Sequence, residues 1–188
     1  MNLLQCIKIS SRSIILNNKK EPLLRFFFNT FFSFAHTIKK ECEKMIEQDT
    51  IKLLRECDAG IKMGVLSLNQ VIVFAKDEKL KKFLKDSKEE HNKLDEELQK
   101  QLERFEDEGK EPNAMAKGMS WMKTNVMLIV NESDQMIADI ITDGCDMGVK
   151  SLSKYLNQYA AADEFSKDIC KKLISIEEKL GIQMREFL

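Results

Sequence analysis

The hexapeptide CDAGIK at 57–62 returns as CDMGVK at 145–150, with four identical positions and one conservative change, at an offset of 88 residues. The same offset carries Cys57, Ile61, Gly64 and Leu68 onto Cys145, Val149, Leu152 and Leu156. Spacings of four and three keep each set on one face of an α-helix. Working outward from the first copy, the periodicity predicts helix A over about 47–76. KDE at 76–78 interrupts it, and helix B follows over about 78–107, with Leu80, Leu84, His91, Leu94, Leu98, Leu102 and Phe105 inward. EDEGKEPN at 106–113 is a breaker, with Gly109 and Pro112. Around the second copy, helix C runs from NESD at 131–134, where Asn131 or Ser133 offers a capping oxygen, to about Tyr159. Helix D fills 162–187. Two helical hairpins, A–B and C–D, are thus expected about a pseudo-twofold axis. The segment 108–130, with a shorter helix of its own, is long enough to be the crossover of an all-α four-helix bundle.

The chain is 43% apolar and 32% charged with seven Gly and two Pro, the balance of a helical globular domain able to bury a core. Its net charge of −1 hides an asymmetry, because residues 1–44 hold eight Lys/Arg against three Asp/Glu and the remainder is acidic. An acidic body gives no electrostatic reason to bind nucleic acid. Five cysteines, at 6, 42, 57, 145 and 170, form no C-x-x-C pair, which favours free thiols and a cytoplasmic setting. Cys57 and Cys145 fall at helical core positions, where cysteine behaves as a small hydrophobe. Gly60, Gly64, Gly144 and Gly148 each cost a helix about 1 kcal/mol relative to Ala. Their repeat-related placement suggests close approach of helices A and C, with lining of a cavity as the sharper alternative.

AGIKMGV at 59–65, the Glu90-His91 pair of helix B, GKEPNAMAKGMSWMKTNV at 109–126, SDQMIADIITDGCDMGVKSL at 133–152 and YLNQYAAAD at 155–163 together carry a resemblance. They resemble an uncharacterised bacterial family of the ferritin-like superfamily, over about 46–188. The resemblance implies a ferritin-like bundle and supplies no activity.

Ferritin-like two-iron centres use a Glu from each of two helices and a Glu-x-x-His from each of the others. Here the tetrad on helix B is Lys88-Glu89-Glu90-His91, which keeps the His and has Lys in the Glu position. On helix D, aligning inner faces brings Glu177-Glu178-Lys179-Leu180 to the same height, which keeps the Glu and lacks the His. Each motif is half present. The repeat-related Asp58 and Asp146 lie about 60° off the apolar face and do not complete a six-ligand set. The candidate metal residues are therefore His91, Glu177, Asp58 and Asp146, and iron is the cofactor they would suit with an incomplete ligand set. Competing readings make His91 a core histidine, or Lys88 and Glu177 an ion pair where metal once sat. No nucleophile is placed beside His91, so no catalytic residue is assigned, and whether the protein is an enzyme stays open. The leading expectation is a metal-degenerate ferritin-like protein with a binding or structural role. An iron-binding or oxidoreductase protein with an atypical site around His91 and Glu177 is the alternative.

LLRFFFNTFFSFAHTIKKECEKM at 23–45 puts six Phe into nine residues. It is shorter than the roughly 18 apolar residues of a membrane span and lacks the cleavage pattern of a signal peptide. A short membrane-surface segment is one reading of it. Lys40-Glu41 can be encoded as a purine-rich ribosome-binding sequence ahead of Met45, and Phe, Lys, Asn and Ile crowd the residues before it. Translation is therefore expected to start at Met45, with 1–44 a non-native upstream extension, disordered or loosely helical, and no membrane partner. Met115, Met119, Trp121 and Met122 in the crossover suit either a cover for the core or a dimer interface, and a homodimer is expected.

Overall fold

In a computed structural model, residues 22–109 and 133–188 are described, with side chains from Thr30 onward. The chain divides into two units, Met1–Lys44 and Met45–Leu188. Among the described residues the secondary structure is helical throughout: α1 (Pro22–Ile72), α2 (Glu78–Arg104), α3 (Asp134–Gln158), α4 (Glu164–Met184) and a closing 3-10 turn, Arg185–Phe187. The expected shorter helix at 114–130 and the capping Asn131 lie outside the described residues.

Helix α1 starts far upstream of residue 47, because 22–46 holds neither Pro nor Gly beyond its first residue and so contains no breaker. In the first unit Phe31, Phe32, Phe34 and Ile38 of this helix are exposed. No helix among the described residues is long and apolar enough to cross a membrane.

Within Met45–Leu188 the apolar faces meet in two core clusters, each drawing on all four helical segments. One holds Leu68 and Val71 of α1, Leu80 and Leu84 of α2, Ile137, Ile141 and Cys145 of α3, and Leu180 and Met184 of α4. The other holds Leu53, Cys57 and Ile61 of α1, Leu94, Leu98 and Leu102 of α2, Leu152 of α3, and Ile169, Cys170 and Leu173 of α4. The order in which each helix visits the clusters fixes its direction. α1 and α4 run from the second cluster to the first, and α2 and α3 run from the first to the second. The connection from α2 to α3 therefore joins opposite ends, as a crossover must.

Caps and turn contacts hold the ends. Asp77 caps α2 by accepting from the backbone N–H of Lys79 at 2.7 Å and Leu80 at 3.0 Å. Asp163 caps α4 through the N–H of Ser166 at 2.7 Å, and its own N–H donates to Thr50 Oγ1 at 2.9 Å. Ser133 occupies the cap position of α3 but makes no side-chain cap hydrogen bond. The neighbouring Asp134 instead accepts from the N–H groups of Lys76 and Asp77 at 2.8 and 2.9 Å, which ties the α1–α2 turn to the start of α3. Beyond α2, Asp107 takes a bidentate ion pair from Arg55.

Candidate functional site

Between the two apolar clusters each helix brings a residue of neither to the level of the couple, and α2 also buries Ser87 there. On α1 it is Gly64, between Ile61 and Leu68, and on α2 it is His91, between Leu84 and Leu94. On α3 it is Gly148, between Cys145 and Leu152, and on α4 it is Glu177, between Leu173 and Leu180. These four residues form a polar layer in the middle of the core.

His91 is fully buried and Glu177 nearly so. The imidazole Nδ1 lies 2.8 Å from the Ser87 carbonyl oxygen, one helical turn back. That oxygen can only accept, so Nδ1 carries a proton. Nε2 lies 3.2 Å from Glu177 Oε1. The second proton of the couple sits in this contact. Burial pulls the His91 pKa down, but the hydrogen bond and charge of Glu177, with the Ser87 carbonyl, outweigh it and hold the ring above its ordinary value. The Nε2–Oε1 contact thus holds a proton shared between the ring and the Glu177 carboxyl group.

Cys145 completes the layer. Burial and then the Glu177 charge, together with a hydrogen bond to that carboxylate, push its thiol well above the usual range. The thiol stays protonated beside Glu177. Both glycines face the couple, and Gly64 makes room for it. A Cβ on Gly64 would stand 2.8 Å from His91 Nε2 and 3.0 Å from its Cδ2, and one on Gly148 would touch Glu177 at 3.5 Å. Both would lie 3.6 Å from the same Glu177 Oε1. Gly64 and Gly148 are thus opposite one another at a sequence separation of 84, one helical turn short of the 88-residue offset. Gly60, the partner of Gly148 by that offset, faces Leu173 and Leu152 instead, and Gly144 faces open space. At 60 and 64 the glycines give clearance to side chains, and at 148 a methyl would make ordinary contact.

The other two candidate ligands lie apart from the couple. Asp58 is fully buried near the far end of α2, where its carboxylate accepts from Lys62 Nζ at 2.7 Å and Gln99 Nε2 at 2.9 Å. Gly109 presses on the same carboxylate with φ +83°, where a Cβ would come within 2.5 Å of Oδ2. Asp146 is exposed on α3. Lys88 is half-buried, and the Glu177 carboxylate is engaged by His91 and Cys145. Among the described residues no group of three or more His, Cys, Asp or Glu side chains is placed to hold a metal ion. The donor set does not fit a two-iron centre, since one imidazole and one carboxylate meet here where such a centre takes two imidazoles and four carboxylates.

On the outer side of α2 and α4 lies a cleft of about 210 Å³, lined in part by Ser87, Glu90, Lys93, Lys179 and Leu180. Ser87 borders both this cleft and His91, and a Glu90–Lys179 ion pair joins the two helices there. Sequence reasoning did not find the Cys145 contact, the Ser87 acceptor or the clearance at Gly64. Of these only Ser87 carried a signal, four residues before a histidine on an inward face.

No family model matches the chain, and no match is found among the curated proteins or the solved structures.

Proposed function

We propose that this protein is a ferritin-like four-helix bundle, formed of two pseudo-twofold-related hairpins and an extra crossover helix. In it the His91–Glu177 couple stands where such bundles hold a two-iron centre, and its role is binding or structural. The observation that carries the reading is the closed couple itself: one imidazole and one carboxyl group at mid-height, bonded to each other and, through the imidazole, to the Ser87 carbonyl. The helix directions, with a connection between opposite ends after α2, support the ferritin-like course, as do the half-present motifs at 88–91 and 177–180. The same reading has the protein self-associate as a dimer in the cytoplasm.

Elemental analysis of protein produced with added iron tests the central claim, alongside the variants His91→Ala and Glu177→Ala. The expected result is less than stoichiometric iron in all three. Stoichiometric iron that is lost in both variants overturns the reading and installs the alternative, an iron protein with an atypical site around His91 and Glu177. For self-association, a single monomeric species in sedimentation at micromolar concentration removes the dimer.

A further inference from the structure

The cleft between α2 and α4 is walled by polar groups of two kinds, those already paired and those with bonding capacity unused. Glu89 and Lys93 pair across one turn of α2 at 2.6 Å, and Glu90 pairs with Lys179 of α4. Asp86 and Gln183 line the same cleft, and among the described residues neither makes an ion pair or a side-chain hydrogen bond. With three carboxylates against two ammonium groups, the lining keeps one negative charge, and Asp86 is where it stands unpaired.

Ser87 is the third unused group. It is only 5% exposed, and among the described residues the one contact of its hydroxyl is with His91 Nδ1, at 3.5 Å. That nitrogen carries the proton it donates to the Ser87 carbonyl oxygen at 2.8 Å, so it has no lone pair with which to accept another. The length of 3.5 Å is itself beyond the ordinary range for a hydrogen bond. The Ser87 O–H is therefore a buried donor in the wall of the cleft with no acceptor among the described residues. Burying a donor unsatisfied is unfavourable, and a ligand oxygen would supply its acceptor.

We propose that this cleft binds a small amino alcohol, with its ammonium group at Asp86, its aliphatic stem along Ile176 and Leu180, and its hydroxyl oxygen accepting from Ser87. Each part answers one feature of the wall. A lone carboxylate selects a cation, and the unused O–H selects an oxygen acceptor. Ile176 and Leu180 stand one turn apart on α4, about 6 Å along its axis, and give a short apolar strip to a short stem. The volume of about 210 Å³ is some seven times the roughly 30 Å³ that a water occupies in the liquid, which is room for such a molecule. Ser87 would hold the ligand by its hydroxyl while holding His91 by its carbonyl, so the buried ring senses occupancy of the cleft. The binding role thereby gains a ligand class. It rests on the lining of the cleft and not on the ferritin-like course of the helices, so an iron result that overturns that course leaves the cleft untouched.

The test titrates the isotope-labelled full chain at constant pH with 4-aminobutanol, 1,4-butanediol and 4-hydroxybutyrate, which share a stem and differ at one end. NMR follows the Gln183 side-chain amide and the His91 ring. The amino alcohol is expected to give saturable shifts at both, the diol to bind more weakly and the hydroxy acid not at all. Asp86→Asn should weaken the amino alcohol by roughly tenfold and leave the diol unchanged. Ser87→Ala keeps the carbonyl that holds His91, and it should weaken the amino alcohol and the diol alike by about fivefold. No saturable shift with the amino alcohol, equal affinity for all three molecules, or preference for the hydroxy acid overturns the proposal. So does an affinity for the amino alcohol that is unchanged in either variant while circular dichroism shows that variant folded.

Discussion

Two glycines on opposite helices, both against Glu177, are expected to respond to the same substitution with opposite sign. Each sits inside a helix, so replacement by alanine gains about 1 kcal/mol of helix propensity wherever the new methyl has room. At Gly148 it has room, since a Cβ would meet Glu177 at 3.5 Å, an ordinary van der Waals separation. Gly148→Ala should therefore stabilise the protein by ~0.5–1 kcal/mol. Gly64 is different. A Cβ there would stand 2.8 Å from Nε2 of a ring that is fully buried and pinned by Ser87 at 2.8 Å and Glu177 at 3.2 Å. The ring cannot move away without stretching one of those bonds. Overpacking costs about 1–3 kcal/mol, and weakening a buried charged hydrogen bond adds to it. After the propensity gain, Gly64→Ala should destabilise by ~1–3 kcal/mol.

Urea unfolding followed by circular dichroism reads both variants on one scale. The decisive comparison adds His91→Ala, which removes the ring. In that background Gly64→Ala should no longer be destabilising and should regain its propensity benefit. Equal stability of the two single variants, or an unchanged penalty at Gly64 without His91, refutes the claim that Gly64 is there to clear the imidazole.

Three other consequences can be measured. Because folding raises the His91 pKa, its contribution is full below the unfolded value of about 6.5 and is lost as pH rises through the folded value. The stability difference between the parent and His91→Gln should accordingly shrink as pH increases, and a difference that grows with pH contradicts the couple. In Glu177→Gln the two largest influences that raise the ring are removed and burial is opposed only by the Ser87 carbonyl and Glu90, so the His91 midpoint followed by NMR should fall below that of the parent, with His36→Gln identifying the other imidazole. Gly109→Ala should cost about 1–2 kcal/mol for the left-handed backbone alone, and more because its Cβ would displace Asp58; a neutral effect in urea unfolding would remove the close approach.

The inward stripe of α2 was legible in sequence because its spacing matches a helix that buries one face, and Asp77 was legible as a break because KDE interrupts that pattern. Aligning inner faces also set His91 and Glu177 at one height, and they are in contact. Lateral neighbours were not legible. Whether Cys57 meets Cys145 or Cys170 depends on how far each helix rotates about its axis, and a spacing of three and four leaves that angle free by tens of degrees. The repeat leaves the facing glycines open in the same way, since sliding a helix by one turn preserves its apolar face while changing which glycine stands opposite which. The start of α1 escaped because the change of composition at Met45 was given more weight than the helical spacing of Arg25, Asn29, Ser33 and Thr37 within the Phe-rich run.

The polar layer is better understood as fixing register than as adding stability. α2 and α4 run in opposite directions, and their leucines would interdigitate almost as well after a slip of one turn. After such a slip Glu177 would face the leucine-rich part of α2, and His91 would face Leu173 or Leu180, each buried without its partner. An uncompensated buried charge costs about 3–5 kcal/mol, far more than the small net stability that a paired one supplies. The native alignment of α2 and α4 is thus separated from its nearest competitors mainly by what His91 and Glu177 would lose there. Gly64 follows from the same logic, because the imidazole at this level needs space on α1 that a side chain would fill. An apolar pair in place of His91 and Glu177 could leave the protein as stable while releasing that alignment, so the couple's value lies in the states it excludes.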